Sequence, residues 1–456
     1  MSTTTTLDPA LFEELADAVG ATLLQPGDDG YEAARRVHNG LVDRRPALIV
    51  RCQTAEDAAA GVRFARASGL SICVRGGGHN VSGHAVADDA VMIDLEEMRA
   101  VTVDAAARTV RAAGGVTWAE LNEAAAEHGL AVTGGFVSTT GIAGLTLGGG
   151  FGWLMGKHGF AADNLLAVEL VTADSRVVDV DEESDPDLFW ALRGGGGNFG
   201  VATSFLYRLH PLETVVGGLV AHPFDHAQDV LRFFRKFTTS LPDELTVVAG
   251  LVHAPDGSGA KLAALVVCHS GDPAAADRDL APLLEFGSPA MVNIGPMPYP
   301  VVNTLLDEAY PRGALNYWKS SFVRDLNDGF IDAAVGRFAS TPSPMTSMGL
   351  EQFHGAVTRV PVNATAIPHR EPGYNLFVTT EWLDPAETDA NVAWTRETYA
   401  ALEPFFASRR YVNYLDDDDS GGVRAAYGSN YDRLVELKRR YDPDNVFHHN
   451  QNIDPA

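Results

Sequence analysis

Three clusters of glycine in the first half of the chain restrict its fold more than any other feature. They lie within about 125 residues and comprise Gly76–Gly78, Gly148–Gly150 with Gly152, and Gly194–Gly197 with Gly200. Glycine adopts positive φ angles and lets backbone N–H groups approach a ligand closely. Several N–H groups that converge on an anion can hold a pyrophosphate. Three such loops close together in sequence therefore predict a site for a large cofactor that carries phosphate groups.

The third cluster contains the pattern GxGxxG at 195–200. A dinucleotide-binding fingerprint must follow a strand and open a helix. Here a helix is predicted before the pattern, because Asp185 and Pro186 are typical of a helix N-terminus, and a strand is predicted after it. This order excludes a Rossmann domain. The sequence also lacks GxxxxGK[ST], which excludes a P-loop.

Strands and helices alternate in the first half of the chain. Thr54 and Gly69 predict the two ends of one helix. Thr117–Glu120 is a capping box, and the helix that follows it is predicted to stop at Gly129. Buried strands are predicted at 71–74, 91–95, 165–172 and 199–209. This mixture, joined by glycine-rich loops, is typical of a cofactor-binding domain.

The character of the sequence changes after residue 211, where the glycine clusters end and longer β-type runs begin. Runs such as 245–253 and 261–268 predict an antiparallel sheet, with helices on one face. We therefore predict a cofactor domain at 1–211, with its core at 43–212, and a substrate-binding domain at 212–408. A third segment, 409–456, is aromatic and polar, and its acidic run Asp416–Asp419 is predicted to be a solvated loop.

Composition and charge exclude several classes of protein. The 456 residues include 46% hydrophobic residues, which is ordinary for a globular protein. The net charge of −26 repels nucleic acids and anionic lipids, and no apolar run reaches the ~18 residues of a membrane helix. The first ten residues show no secretory signal, and three scattered cysteines form neither a disulfide framework nor a metal motif. We predict a cytoplasmic protein with no nucleic-acid partner, no membrane partner and no metal.

His79 lies at the end of a predicted strand, in the sequence Arg75-Gly-Gly-Gly-His79-Asn80. Taken alone, such a histidine either hydrogen-bonds within its turn or lies where a cofactor ring can bond to it. The segment resembles the flavin-attachment loop of the berberine bridge enzyme-like oxidases. These belong to the vanillyl-alcohol oxidase or PCMH-type FAD superfamily, and the chain is most similar in type to the bacterial 6-hydroxy-D-nicotine oxidase-like members.

Further motifs of that family follow in the same order along the chain. They are GIAGLTLGGGFG at 141–152, DLFWALRG at 187–194, NFGV at 198–201, YVNY at 411–414 and NQNI at 450–453. The resemblance implies an α+β fold with a PCMH-type FAD-binding domain of two subdomains. It also implies a substrate domain whose antiparallel sheet is flanked by helices, and a C-terminal segment, 409–456, that returns to the FAD domain.

The resemblance implies that FAD is bonded through its 8α-methyl group to His79. Many members add a second bond from a cysteine, but the matching position here is Val137, so a single bond is expected. The other residues that the resemblance assigns to the cofactor are Arg75, Gly76, Gly77, Gly78, Asn80, Gly83, Gly134, Ser138, Thr139, Gly141, Ile142, Gly144, Gly148, Gly149, Gly150, Gly152, Val201, Asn450 and Asn452.

Tyr414 matches the family's general base. A phenol has a pKa of ~10, so a basic phenolate at neutral pH needs a nearby cation, which the sequence does not identify. The alternative is that Tyr414 only packs against the flavin. Glu351, Gln352 and Asn375 match strands that face the substrate. Because side chains alternate along a strand, only one of Glu351 and Gln352 can face the flavin.

The implied activity is oxidation of a CH–OH or CH–NH group of a small organic substrate, with hydride transfer to flavin N5. The electrons pass to O₂ or to another acceptor. In plant relatives a small residue near the position of Ile142 admits O₂, so a bulky residue here favours a dehydrogenase as an alternative. A deazaflavin in place of FAD, and a flavin-binding protein without turnover, are further alternatives.

Overall fold

The computed structural model describes residues 5–419 and 421–456. The helices of the first region are α1 (Pro9–Ala18), α2 (Tyr31–Ala34), α3 (Ala55–Ser68), α4 (Trp118–Ala126), α5 (Ile142–Leu147), α6 (Met155–His158) and α7 (Pro186–Leu192). Its strands are β1 (Thr22–Leu24), β2 (Leu48–Arg51), β3 (Ile72–Arg75), β4 (Val91–Asp94), β5 (Val101–Asp104), β6 (Thr109–Ala113), β7 (Leu130–Ala131), β8 (Leu165–Val171), β9 (Val177–Asp181), β10 (Val201–Arg208) and β11 (His210–Pro211).

These strands form two main sheets. The first has the order β1-β2-β4-β3, in which β2, β4 and β3 are parallel. The second is antiparallel, with the order β5-β6-β10-β8-β9, and β7 and β11 pair separately. Helix α3 packs between the sheets, and its predicted ends are confirmed. Thr54 and Asp57 form a capping box, and Gly69 ends the helix in the left-handed conformation at φ 67°.

The second region is built on one antiparallel sheet. Its strands are β12 (Thr214–Pro223), β13 (Leu245–His253), β14 (Lys261–His269), β15 (Met291–Pro298), β16 (Leu315–Val323), β17 (Ser347–Phe353) and β18 (Gly373–Trp382). They lie in the order β15-β12-β14-β13-β17-β18-β16. The helices are α8 (Ala227–Phe237), α9 (Pro273–Leu284), α10 (Tyr299–Asn303), α11 (Asp328–Phe338) and α12 (Thr388–Leu402).

The two faces of this sheet have different partners, because side chains alternate along each strand. One face, with Val247, Leu350 and Val378, packs against α8, α9, α11 and α12. The other face, with Val248 and Phe353, packs against aromatic residues of the first region. This second face, the inner face of the sheet, is therefore directed toward the glycine loops of the first region.

The C-terminal segment returns to the first region through α13 (Gly422–Tyr427) and α14 (Tyr431–Tyr441). The hydroxyl of Tyr441 donates to Asp185 at the start of α7, at 2.7 Å. The ammonium of Lys438 is fully buried, and it donates to Asp442, to the carbonyl of Asn198 and to that of Phe447, all within 2.9 Å. A buried cation needs such partners, so this cluster fixes the segment beside the third glycine cluster.

Candidate active site

A long cavity lies between the first region and the inner face of the seven-stranded sheet. It brings together parts of the first glycine loop, the loop before α5, the third glycine cluster and the C-terminal segment. The residues of these elements that line it include Gly76–Asn80, Gly141, Gly144, Gly196, Gly197, Gly200, Tyr414, Asn450 and Gln451. Tyr310, Asn316 and Trp318 line it from the second region. The sequence could place these residues in different motifs, but only the fold places them around one space.

The first glycine loop, Gly76–His79, touches the loop before α5 backbone to backbone. A Cβ atom on Gly77 would overlap the backbone of Gly141, and a Cβ atom on Gly141 would overlap Gly77. Gly78 has a φ of 69°, which side chains disfavour. The loop needs glycine at these positions because the two backbones pack without space for a side chain.

His79 is held from two directions. Its Nε2 lies 2.9 Å from Thr139 Oγ1, and its ring stacks on the ring of His38, with centroids 3.9 Å apart and planes 23° apart. Burial lowers the pKa of His79 well below its usual value, and the neighbouring His38 lowers it further. His79 is therefore neutral at neutral pH. Thr139 itself lines a second cavity, which His79 also lines.

Arg75 stabilises the loop from beneath. Its Nε donates to Asp94 Oδ1 at 2.8 Å, and its Nη2 lies 2.6 Å from Asp94 Oδ2 and 2.7 Å from Glu96. Its Nη1 donates to the carbonyl of Arg36. These partners occupy the guanidinium, and Arg75 lines the second cavity but not the long one. Arg75 therefore braces the first glycine loop, and the cofactor role that the resemblance implies for it stays a prediction.

The second glycine cluster packs within the protein and does not line the cavity. A Cβ atom would meet Asn413 at Gly148, Ile367 at Gly149, Leu145 at Gly150 and the carbonyl of Gly134 at Gly152. The N–H of Gly150 donates to the hydroxyl of Tyr411 at 3.2 Å. These glycines allow the C-terminal segment to approach α5, so they shape the site indirectly.

Several other residues assigned to the cofactor also have protein partners. Gly83 packs against Val42 and Gly134 against Trp118, and Ser138 bonds to Asp307. Val201 points into the core beneath α3, while its neighbours Gly200 and Ala202 line the cavity. Ile142 is fully buried in the core of the first region and does not line the cavity. The side chain of Asn452 has a buried oxygen without a partner in the described part of the chain, but the residue is not part of the cavity wall.

Tyr414 faces the cavity from a single 3₁₀ turn, Val412–Tyr414. Its hydroxyl donates to Glu351 Oε1 at 2.9 Å, and Asn375 Nδ2 donates to Glu351 Oε2 at 2.8 Å. Burial, reinforced by the Glu351 carboxylate, raises the pKa of Tyr414 well above its usual value. Burial raises the pKa of Glu351 to about 8, against the two hydrogen bonds that lower it. Tyr414 and Glu351 therefore form a hydrogen-bonded acid–base pair.

The register of β17 decides between Glu351 and Gln352. Glu351 lies opposite Asn375 and Val248 on the inner face of the sheet. Gln352 points to the opposite face, where its amide donates to the carbonyl of Thr238 at the end of α8. Gln352 is thus separated from the cavity by the sheet.

A basic phenolate at Tyr414 would need a nearby cation, and no cation bonds to its hydroxyl in the described residues. Within residues 5–419 and 421–456, the only hydrogen-bond partner of its hydroxyl is Glu351. The ammonium of Lys319 instead binds Asp416 at 2.9 Å and also pairs with Asp418. Lys319 and Asp416 are both nearly buried. The prediction of a solvated loop is therefore wrong for this part of the acidic run, which ties the Tyr414 turn to the edge strand β16.

Two side chains near the site escaped the sequence analysis. His38 lies in a loop before β2, and nothing in a single sequence marks it. Glu381 is 1% exposed, and neither of its carboxylate oxygens has a partner in the part of the chain that the structure describes. Burial raises its pKa to about 8. Side chains alternate along β18, so Glu381 lies on the same face as Asn375. The sequence alone does not show that this is the inner face of the sheet.

Comparison with known proteins agrees with this architecture. A family model described as FAD binding domain matches residues 46–181, and one described as berberine and berberine like matches residues 410–454. The (R)-6-hydroxynicotine oxidase of Paenarthrobacter nicotinovorans is 32% identical over 454 residues, covering 96% of this chain and 97% of that protein. The chain belongs to the berberine bridge enzyme-like family of FAD-linked oxidoreductases.

Solved structures of this berberine bridge enzyme-like family share the fold. The crystal structure of 6-hydroxy-D-nicotine oxidase from Arthrobacter nicotinovorans has a TM-score of 0.88 at 31% identity, with 96% of this chain and 98% of that chain covered. Physcomitrella patens BBE-like 1 has the same TM-score at 23% identity, covering 96% and 97%. The predicted α+β, PCMH-type fold and the family are confirmed, and the chain is an oxidoreductase.

The cavity of this berberine bridge enzyme-like chain fits FAD. A Cβ atom on Gly144 would meet nothing within 4 Å, although Gly144 lines the cavity, so the space beside it is open. Asn450, also on the wall, has a buried side-chain oxygen with no partner among residues 5–419 and 421–456. Loop backbone and a free polar atom are what a cofactor with a pyrophosphate and polar rings requires.

Replacing Gly144 with Leu should prevent FAD binding without unfolding the protein, because the new side chain would fill the cavity and not the core. We expect at least about a tenfold loss of bound flavin and a melting temperature of the flavin-free protein within about 2 °C of its parent. Gly336→Leu is the matched control, because Gly336 is exposed in α11 and also has open space around its Cβ position. A Gly144→Leu protein with a full complement of FAD would contradict this placement of the cofactor.

The described residues of this berberine bridge enzyme-like chain contain neither a candidate membrane span nor a candidate metal site. No helix in the described ranges combines the length and apolar character needed to cross a membrane. Within the same ranges, no group of three or more His, Cys, Asp or Glu side chains is arranged to hold a metal ion.

Proposed function

We propose that this protein oxidises a CH–OH or CH–NH group of a small organic substrate with an FAD that is bonded to His79 alone. The observation that carries the proposal is that one cavity is lined by both His79 and Tyr414, with Glu351 behind Tyr414. When bound, FAD would supply the redox chemistry by accepting a hydride at N5. The residues of the chain would position the substrate and remove its proton.

Four features support attachment through His79 by one bond. Nε2 is engaged by Thr139 Oγ1, which leaves Nδ1 as the ring nitrogen without a hydrogen bond to any residue that the structure describes. The ring is neutral, and a neutral imidazole keeps a nucleophilic lone pair. Val137 lines the cavity at the position where a second bond would need a cysteine. Cys52, Cys73 and Cys268 are all buried, and burial raises the pKa of each thiol.

The paired groups at Tyr414 support a two-step path for the proton. A substrate O–H or N–H donates to the oxygen of Tyr414, while Tyr414 donates its own proton to Glu351. A carboxylate with a pKa of about 8 accepts a proton near neutral pH more readily than one with an ordinary pKa. The role of Tyr414 as an unaided phenolate is not supported, because burial and Glu351 both disfavour that charge. Asn375 holds the second oxygen of Glu351 and so fixes its orientation.

O₂ is the electron acceptor that we propose. The relative at 32% identity is named an oxidase, and so is the solved structure at 31% identity. The opposite expectation, a dehydrogenase, was based on Ile142. Because Ile142 lies in the core and does not line the cavity, its bulk gives no support to that alternative.

The test is anaerobic reduction followed by exposure to air. The purified yellow protein is mixed under nitrogen with a panel of secondary amines and of primary and secondary alcohols, with free FAD as the control. We expect at least one compound to bleach the protein-bound flavin only, and air to restore the colour with formation of hydrogen peroxide. Bleaching that air does not reverse would contradict O₂ as acceptor. Failure of the whole panel would count against the proposed oxidation of CH–OH or CH–NH groups.

A further inference from the structure

We propose that His38 is a positioning residue for the covalent attachment of flavin to His79. The inference rests on the proposed function, since it concerns how the bond to His79 forms. The His38 ring stacks on the His79 ring with a centroid distance of 3.9 Å, and both rings line the long cavity. His38 precedes residue 46, where the match to the FAD binding domain begins. It is therefore outside the motif that carries His79.

Three hydrogen bonds join the segment around His38 to the attachment loop and the strand before it. The N–H of His38 donates to the carbonyl of Gly78 at 2.9 Å, and the side-chain amide of Asn39 donates to the carbonyl of Val81 at 3.0 Å. On the preceding side, the guanidinium of Arg75 donates to the carbonyl of Arg36 at 3.1 Å. These three hydrogen bonds hold segment 36–39 against this loop, and we call the segment the clamp. The stacking of His38 on His79 is a consequence of that clamp.

Two contacts restrict His79. His38, from the clamp, covers one face of the imidazole, and Thr139 Oγ1 lies 2.9 Å from Nε2. Together they limit rotation of the ring and leave Nδ1 as the nitrogen free to react. In the tautomer whose Nε2–H donates to Thr139 Oγ1, the lone pair is on Nδ1.

The charge state of the pair is consistent with this role. Burial, with a smaller contribution from the charge of Arg312, lowers the pKa of His38 to about 4. The pKa of His79 is lowered by the same burial, by His38 and by Arg312. Two stacked neutral rings avoid the repulsion that two imidazolium ions would have. His79 is thus kept in the form that can act as a nucleophile.

Covalent attachment of FAD to His79 is an oxidation, and the protons and electrons that it releases limit the role that His38 can have. A C–H bond of the 8α-methyl group and the N–H bond of His79 are replaced by one C–N bond. Two protons and two electrons are left over, and O₂ takes them up to give hydrogen peroxide. Stacked rings do not direct their nitrogens at each other, so His38 is not placed to receive the proton. Its contribution is the orientation of His79, and orientation alone can change a rate by 10²-fold.

The test measures attachment and not turnover. Full-length protein from flavin-limited cells is mixed with FAD in air, samples are denatured at intervals, and intact mass gives the fraction of chains that carry FAD. We expect His38→Ala to attach FAD about tenfold or more slowly than wild type. His38→Phe keeps an aromatic face and should attach FAD within a few-fold of wild type.

His210→Ala is the matched control. His210 stacks on His158 with centroids 3.8 Å apart, in a pair that lines neither cavity. It should attach FAD at the wild-type rate. Non-covalent FAD binding, followed by quenching of flavin fluorescence, shows that each variant is folded. If His38→Ala itself fails to fold, the attachment rate of His38→Phe, compared with that of wild type, decides whether His38 positions His79.

The outcomes separate this inference from the proposed function. Wild-type protein that never gains the mass of FAD would contradict the proposed bond to His79. If wild type gains it and His38→Ala is equally fast, or if His38→Phe is folded but as slow as His38→Ala, the positioning role of His38 is overturned. In these last two cases the bond to His79 stands.

Discussion

Replacing Tyr414 with Phe is expected to slow anaerobic reduction of the bound flavin by about 10²–10⁴-fold, the usual contribution of a positioned acid–base group. The substitution removes the hydroxyl that bonds to Glu351 at 2.9 Å and leaves the ring among Phe151, Trp318 and Tyr411. Stopped-flow absorbance of the flavin gives the rate. Tyr207→Phe is the control, because its phenol is fully buried and hydrogen-bonded to Thr146 away from the cavity. A Tyr414→Phe rate within a few-fold of wild type would remove Tyr414 from the mechanism.

Glu351→Gln should reduce the same rate by a similar factor, because Tyr414 then has no carboxylate to receive its proton. The two effects should not multiply in the double variant, since both residues act as one unit. The pH dependence supplies an independent check. Glu351 accepts a proton only as the carboxylate, so the wild-type rate should rise with pH and level off above its pKa of about 8. Glu351→Gln should lose this dependence, and a wild-type rate that falls with pH in this range would contradict the assignment.

Replacing Arg75 with Met is expected to lower the free energy of unfolding by about 3–5 kcal/mol, because it leaves a buried carboxylate without its main partner. Arg75 and Asp94 are 2% and 0% exposed. After the change, Asp94 would keep the longer contact to Arg51, at 3.4 Å, and the backbone N–H of Glu96, at 3.1 Å. Urea denaturation of the flavin-free protein measures the loss.

Arg99→Met provides the comparison for Arg75. Arg99 pairs with Glu120 at 2.6 Å, but its side chain is 43% exposed, and exposed pairs contribute about 0–1 kcal/mol. We expect a large difference between the two variants. An Arg75→Met protein as stable as Arg99→Met would mean that the ion pair does not brace the first glycine loop.

Local signals allowed the sequence to predict parts of the fold closely. The helix predicted to start at Asp185 and Pro186 runs from Pro186 to Leu192, because a capping residue followed by proline determines its start without help from tertiary structure. The capping box at Thr117 is also confirmed, but its helix ends at Ala126 and not at Gly129. The chain leaves the helix through a turn that ends at Gly129, which adopts a φ of 65°.

The candidate site was only partly predictable, since it depends on long-range packing. Glycine clusters predict close backbone approach but not what approaches, so the sequence could not distinguish Gly144, which faces the cavity, from Gly148, which packs on Asn413. The alternation of side chains shows that only one of Glu351 and Gln352 faces the cavity, and the register of β17 is needed to decide which one. The sequence left open whether Tyr414 acts as a base beside a cation or only packs against the flavin, whereas the fold gives its hydroxyl a carboxylate partner from β17.

The most direct test of the central claim is the intact mass and absorbance of the denatured protein, compared between wild type and His79→Ala. We expect that wild-type chains retain the yellow colour and carry the added mass of one FAD. The His79→Ala chain should release all of its flavin on denaturation. Wild-type protein that releases its flavin freely, or a His79→Ala chain that still carries it, would contradict covalent attachment at His79.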